Sequence, residues 1–313
     1  MSGKDVKVAT AAPRPGSLFD RVFSRVKREY VPRLFVGPAL VFLLVVTLFP
    51  TLYSIILSFR VYNLAEPWNI RWGPGETYAQ VLSPEFLGSI LTTLRFTVCV
   101  VLIEFLLGFG LAMLINRFKP AIKRMITILI IIPMMITPVV VGLLWKTMYN
   151  PSYGVMNYLL SLLGLGPSLW ASGEATALAS IMLTDVWQWT PFMILLFVAG
   201  LAGLPRDVYE ASQIDGASGW RIFRRITVPL MMPLVQIAVL LRLIDALKVF
   251  DIVFVLTKGG PGTMTETMAI NIYLRAFQHL DVGVAAARSV VFLVMTVILS
   301  KIFLSASERA KRG

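Results

Sequence analysis

Long apolar runs dominate the chain, and short polar stretches punctuate them. Six runs, at about 34–59, 89–116, 124–147, 176–203, 230–256 and 284–304, approach or exceed the roughly 20 residues that an α-helix needs to cross a bilayer. Backbone N–H and C=O groups in hydrocarbon must be satisfied within the protein, so runs of this length predict helices. Pro38, Pro50, Pro133, Pro138 and Pro191 interrupt several runs. Membrane helices tolerate such breaks where a neighbour or a cavity satisfies the freed backbone groups. The pattern therefore predicts an all-α integral membrane protein with six transmembrane helices over 34–304, a polar N-terminal segment over 1–33 and a polar tail over 305–313. Pro13, Pro15 and Gly16 favour partial disorder in the first segment, with an amphipathic stretch near Leu18 to Val26 lying on the membrane. That segment is too long and polar for the charged start of a signal peptide, so the first helix is expected to be an uncleaved anchor.

The most structured polar interval separates the fourth and fifth runs. Within it, 210–229 reads EASQIDGASGWRIFRRITVP. Pro205 is placed to open a short helix with Asp207 in its positively polarised first turn, and Gly216 to end it. Ser218 then caps a second helix with Trp220, Phe223 and Ile226 on one side and Arg221, Arg224 and Arg225 around the rest, before Pro229 starts the next run. The prediction is a helix-turn-helix elbow at a membrane surface. A basic amphipathic loop that simply rests among lipid headgroups would carry the same pattern, and the residues alone leave both readings open.

Composition reinforces the membrane class. Of 313 residues, 57% are hydrophobic and 15% charged, against roughly 25% charged in soluble domains. A formal charge of +12 would suggest nucleic-acid binding in a soluble protein. Here nineteen Lys and Arg residues fall in the N-terminal segment, the 117–124 loop, the elbow and the tail, and four in the alternate loops at 60–88, 148–175 and 257–283. The positive-inside rule then predicts both termini and the elbow to be cytoplasmic, and the charge calls for no nucleic-acid partner. The 148–175 loop is expected to hold an interfacial helix carrying Val155, Leu159, Leu162 and Leu163. One cysteine, Cys99, and one histidine, His279, exclude an internal disulfide and a Cys/His metal cluster. No phosphate-cradling glycine loop, reaction motif or internal repeat is evident, so the chain is expected to lack catalysis, metal and cofactor; any ATP must bind another chain.

Charges at membrane depth are the most informative single residues, because each is costly unless paired or hydrated. The fifth run carries Arg242, Asp245, Lys248 and Asp251 at steps of three. They read either as a self-satisfying ion-pair ladder or as the lining of a hydrated path for a hydroxyl-rich solute. The fourth run holds Asp185, Trp187, Gln188 and Trp189 before Pro191. Aromatic rings beside carboxylate and amide groups suit a sugar, and tryptophan as packing or interfacial belt is the competing account. Arg95 and Arg288 are expected to snorkel from helix ends, and Glu104 to pair within the bundle.

Two segments carry a family resemblance. Glu210, Ala211, Ser212, Gly216, Ile226, Val228 and Pro229 resemble the coupling loop of importer-type ABC permeases, with both long spacings kept and Ser212 and Val228 standing for Ala and Leu. The segment 256–268, LTKGGPGTMTETM, is similar to the Leu-Thr-x-Gly-Gly-Pro stretch of the di- and oligosaccharide branch, in Gly259, Gly260, Pro261 and Thr265. The resemblance implies a permease with a cytoplasmic coupling helix in a bacterial inner membrane. It also implies pairing with a second permease, two copies of an ATPase subunit holding ATP and Mg, and an extracytoplasmic solute-binding protein that delivers a carbohydrate. Coupling would fall to Glu210, Ala211, Ser212, Asp215, Gly216, Ile226 and Pro229 of the 205–229 loop. The solute path would use Asp185, Gln188, Trp189, Arg242 and Asp245. Arg242 and Ala246 depart from the maltose-type pattern of smaller hydroxyl or amide residues, which counts against maltose itself. A permease for a polyol or glycerol-phosphate-type solute is the nearest alternative, and a self-contained secondary transporter or channel a distant one.

Overall fold

The computed structural model describes residues 31–312, with side chains over 36–307. The expectations for 1–30, including the amphipathic stretch, lie outside the described residues. The chain divides into two units, one ending at Tyr53 and one beginning at Ser54. Most of the first helix, α1 (Val31–Ser58), belongs to the first unit; it contains Pro38 and Pro50 without interruption of the helix.

The second unit opens with a two-residue antiparallel pair, β1 (Arg60–Val61) and β2 (Arg71–Trp72), in the register Arg60 to Trp72. A short helix α2 (Pro74–Ala79) follows. Two long helices then form the spine. In α3 (Pro84–Ile115) Pro84 occupies the first turn and the Ser83 hydroxyl accepts from the Phe86 N–H, which satisfies a donor that the helix start leaves unpaired. It packs along α7 (Ala177–Ala202) so closely that a Cβ on Gly108 would collide with the Cβ of Met193.

The third apolar run is not one straight span. It forms α4 (Pro120–Met135) and α5 (Pro138–Met148), bent by 92°. Ile136 and Thr137 are extended there, because Pro138 disfavours helical geometry in the residue before it. The loop after this run holds a helix, α6 (Val155–Leu162), with Val155, Leu159 and Leu162 exposed and Leu163 exposed just past its end. Beyond α7 come the elbow helices α8 (Arg206–Ile214) and α9 (Gly219–Ile222). The fifth run is likewise split, into α10 (Val228–Leu247) and α11 (Asp251–Leu256). Helices α12 (Met268–Phe277) and α13 (Val282–Arg312) complete the chain, and α13 continues as helix through most of the expected tail.

Among the described residues, four helices are long and apolar enough to cross a membrane, and the bent α4/α5 pair makes a fifth candidate. Three apolar clusters lie in the second unit, the smallest around Val81, Phe86, Met268 and Ala287, and two larger ones form the core of the bundle. One gathers Phe96, Val100, Trp145, Ile181, Ile252 and Ile270, the other Ala112, Met193, Phe197, Leu201, Met231 and Ala238. On α3 and α10 the residues between the two clusters include Glu104 and Arg242, so charge lies at the seam of the core.

Candidate functional site

Arg242 on α10 is 2% exposed and holds three helices together. Its Nε donates to Glu104 Oε2 at 2.7 Å and its Nη2 to Glu104 Oε1 at 2.9 Å, a two-pronged bond to α3. Nη2 also meets Asp185 of α7, and Nη1 donates to Asp245 Oδ2 at 3.0 Å one turn along α10. Every nitrogen of the guanidinium therefore faces a carboxylate. The Trp189 ring lies against the same group, with 5.2 Å from the guanidinium carbon to the ring centroid, a geometry favourable to a cation.

Four of the five sequence-derived pathway residues share one cleft. Asp185, Trp189, Arg242 and Asp245 line it together with Lys248 and Asp251. The fifth, Gln188, is 1% exposed and turns elsewhere: its Nε2 donates at 2.9 Å to the Ile136 carbonyl at the α4/α5 break. It thereby satisfies an acceptor that the broken helix cannot. Of the fifth-run charges, Arg242 pairs with Asp245 one turn along and with Glu104 and Asp185 across helices, while the Asp245 side chain is 50% exposed toward the cleft. Breaks in α4/α5 and α10/α11 both border this cleft, through Pro138 on one side and Lys248 to Asp251 on the other.

The elbow is built from local sequence. Gly216 takes φ of +70°, which a residue without Cβ adopts freely. The Ala217 N–H donates to Ser212 O at 3.0 Å and the Gly216 N–H to Gln213 O at 3.1 Å, the paired bonds of a Schellman ending. Ser218 accepts from the Arg221 N–H at 3.4 Å and starts α9. The chain then widens into a π turn over Phe223–Thr227 before α10. Tyr209 and Thr227 hydroxyls, 2.9 Å apart, tie α8 to that turn. Trp220 stacks on Phe223 at 5.3 Å, Phe223 meets Phe109 of α3 at 6.2 Å, and Phe109 meets Phe197 of α7 at 5.4 Å. Of the sequence-derived coupling residues, Glu210, Ala211, Asp215, Gly216 and Pro229 are exposed, and Ser212 and Ile226 half-buried.

A family described as the binding-protein-dependent transport system inner membrane component matches residues 104–312. The chain belongs to this family. It is thus a multi-pass inner-membrane permease subunit of the ABC-transporter class, and its role is transport rather than catalysis. It is 39% identical over 232 residues to a trehalose/maltose transport system permease of Thermococcus litoralis, covering 72% of this chain and 77% of that one. It is 31% identical over 314 residues to a trehalose transport system permease of Mycobacterium tuberculosis, covering 100% and 98%. The fold is similar to a chain of a bacterial ABC transporter involved in import of the acidic polysaccharide alginate, with a TM-score of 0.79 at 23% identity, covering 92% of this chain and 99% of that one.

Elsewhere in the permease the expectation for Arg288 is corrected. It does not snorkel but is 1% exposed, over the Phe86 ring, donating to Asn271 Oδ1 at 2.6 Å and to Ser83 Oγ at 3.2 Å. Asn271 in turn donates to Glu266 at 2.5 Å and Glu85 at 3.1 Å, and burial pushes the Glu266 carboxyl above the usual carboxylate range. A helix-end arginine has carbonyl and carboxylate partners within reach once α12 and α13 fold back, and pairing there satisfies it better than lipid. The Gly-Gly-Pro loop is tied inward by Thr265, whose hydroxyl donates to Gly260 O at 2.7 Å, with Gly259 at φ of +97°. Glu104 was foreseen as a bundle partner, but its bidentate engagement of Arg242 was not. The signal in sequence was that Glu104 is the one carboxylate in the second apolar run.

Proposed function

We propose that this permease is the membrane subunit of an ATP-driven importer that moves a carbohydrate by alternating access, with six membrane passes and both termini cytoplasmic. The observation that carries the solute reading is the cleft in which Trp189, Asp245 and the paired Arg242 meet, beside two broken helices. Helix breaks next to polar groups are where membrane transporters place solute. An aromatic face with carboxylate edges complements a sugar, whose ring faces are apolar and whose rim is hydroxyl. The trehalose and maltose transport roles of the relatives support the same class.

In this reading a second permease completes the pathway, two ATPase subunits carry ATP and Mg, and a solute-binding protein delivers cargo. The elbow over 205–229 receives the ATPase. Glu210 is the exposed polar anchor, Ala211 and Ser212 allow close approach, and Asp215 with Gly216 sets the turn. Ile226 and Pro229 join the lever to α10. Exposed Ile214 and Trp220 add apolar surface for a docking protein.

Purification of the tagged chain in mild detergent, with identification of co-purifying proteins and an ATPase assay across candidate sugars, tests the proposal. The expected result is a second permease, an ATPase and sugar-stimulated hydrolysis that a Glu210→Ala change abolishes. Solute movement by the chain alone without ATP would overturn it.

A further inference from the structure

The cleft has an uneven supply of free charge. Arg242 looks in sequence like an anion receptor, yet Nε, Nη1 and Nη2 already face Glu104, Asp245 and Asp185. Two-pronged recognition of a carboxylate, phosphate or sulfate by arginine needs an open guanidinium fork, and Arg242 has none left. Among the described residues the other cation at the cleft is Lys248, at the C-terminal end of α10, where unpaired helix carbonyls already favour a positive charge. Against it stand Asp245, half open to the cleft, and Asp251, both exposed. The acidic groups that a solute meets thus outnumber the basic ones. The Trp189 ring, against which the paired Arg242 already lies, shares the cleft with Asp185, Asp245 and Asp251 and with Lys248 as the cation not engaged by a carboxylate.

We propose, building on the carbohydrate reading above, that this cleft takes uncharged or amino-bearing saccharides and rejects those carrying carboxylate, phosphate or sulfate. Asp245 and Asp251 set the selection, and Arg242 is a structural cation withdrawn from solute recognition. A glycerol-phosphate-type cargo is thereby disfavoured. The likeness in fold to the alginate importer chain does not extend to an acidic cargo.

The test uses the assembled transporter in nanodiscs of uncharged lipid, without the solute-binding protein, so that delivery does not filter the solutes. Direct binding of a neutral disaccharide is compared with that of its uronic-acid counterpart, which differs only in one oxidised hydroxymethyl group. Wild type is expected to favour the neutral sugar by roughly tenfold at low salt, from one surplus charge at close range. High salt narrows the ratio. Asp245→Asn narrows it further by removing a charge beside Nη1 of Arg242 while keeping an amide oxygen there, and Asp251→Asn, at a position not paired with Arg242, narrows it less. Equal wild-type affinity for the two sugars, or a ratio that neither substitution moves, overturns the inference while leaving the carbohydrate reading intact. Absence of ATP-dependent saccharide uptake by the complete wild-type system overturns the carbohydrate reading and this inference with it.

Discussion

The ionic seam and the elbow solve opposite problems with the same residue types. At the seam, Glu104, Asp185 and Arg242 are at most 2% exposed and come from three helices. At the elbow, Arg221, Arg224, Arg225 and Glu210 are exposed and follow one another along a single stretch. Charge inside the bundle acts through pairing, since each member desolvated alone would be costly. Charge on the elbow remains in high dielectric, where individual pairs contribute little and long-range attraction matters more. The seam is therefore expected to fail as a unit when one member is lost, and the elbow to lose coupling while the bundle stays folded.

The largest effect should follow from breaking the seam. Arg242→Met leaves Glu104 and Asp185 without a cation and is expected to destabilise the bundle by about 3–5 kcal/mol. Thermal unfolding in detergent would register this, and adding Glu104→Gln and Asp185→Asn should recover most of the loss. If the triple variant is no better than the single one, the seam is not an electrostatic unit.

Next in size is Gly108→Val, which drives a side chain into Met193 between α3 and α7. Overpacking of this kind costs about 1–3 kcal/mol, and the melting temperature should fall accordingly. Gly216→Val asks a β-branched residue to take φ of +70°, at about 1–2 kcal/mol. Its signature should be selective: membrane insertion and global melting nearly unchanged, stimulated ATPase activity and uptake sharply reduced. Normal uptake in this variant would sink the lever description of the elbow.

Phe223→Ala sharpens the comparison with the smallest expected effect. It removes the link from Trp220 to Phe109, an aromatic contact worth about 0.5–1.5 kcal/mol beyond burial. Amide exchange should accelerate in α8, α9 and the π turn, with little change in α7, and Phe223→Tyr should restore protection. Equal acceleration throughout would mean that elbow and bundle open together rather than separately.

Local chemistry made the elbow legible in sequence. Gly216, Ser218 and Pro229 each act within a few residues of their own position, so the turn, the second helix start and the entry to α10 could be placed before any tertiary contact was known. The π turn was not foreseen, because an extra residue in a helical turn leaves no distinct mark in residue type. The breaks were half visible: Pro138 marked an interruption, but the 92° bend depends on α5 packing against α11, where Gly142 meets Val255. The split of the fifth run had no proline to announce it.

Sequence by itself determined the membrane class, the helical runs, the elbow and the family, because these rest on hydropathy over about 20 residues or on spacing within one loop. It also nominated the charged residues, since an ionisable group in an apolar run must be paired or hydrated. Only tertiary structure decided which of those it would be. Glu104 and Arg242 are 138 positions apart and Asp185 and Arg242 are 57 apart, and no periodicity within one helix encodes a bond across three. The same folding that buries Arg242 leaves Asp245 open to the cleft. The bundle thus buries one member of a pair one turn apart and leaves the other half open to the cleft, for the physical reason that only one of them lies within the seam.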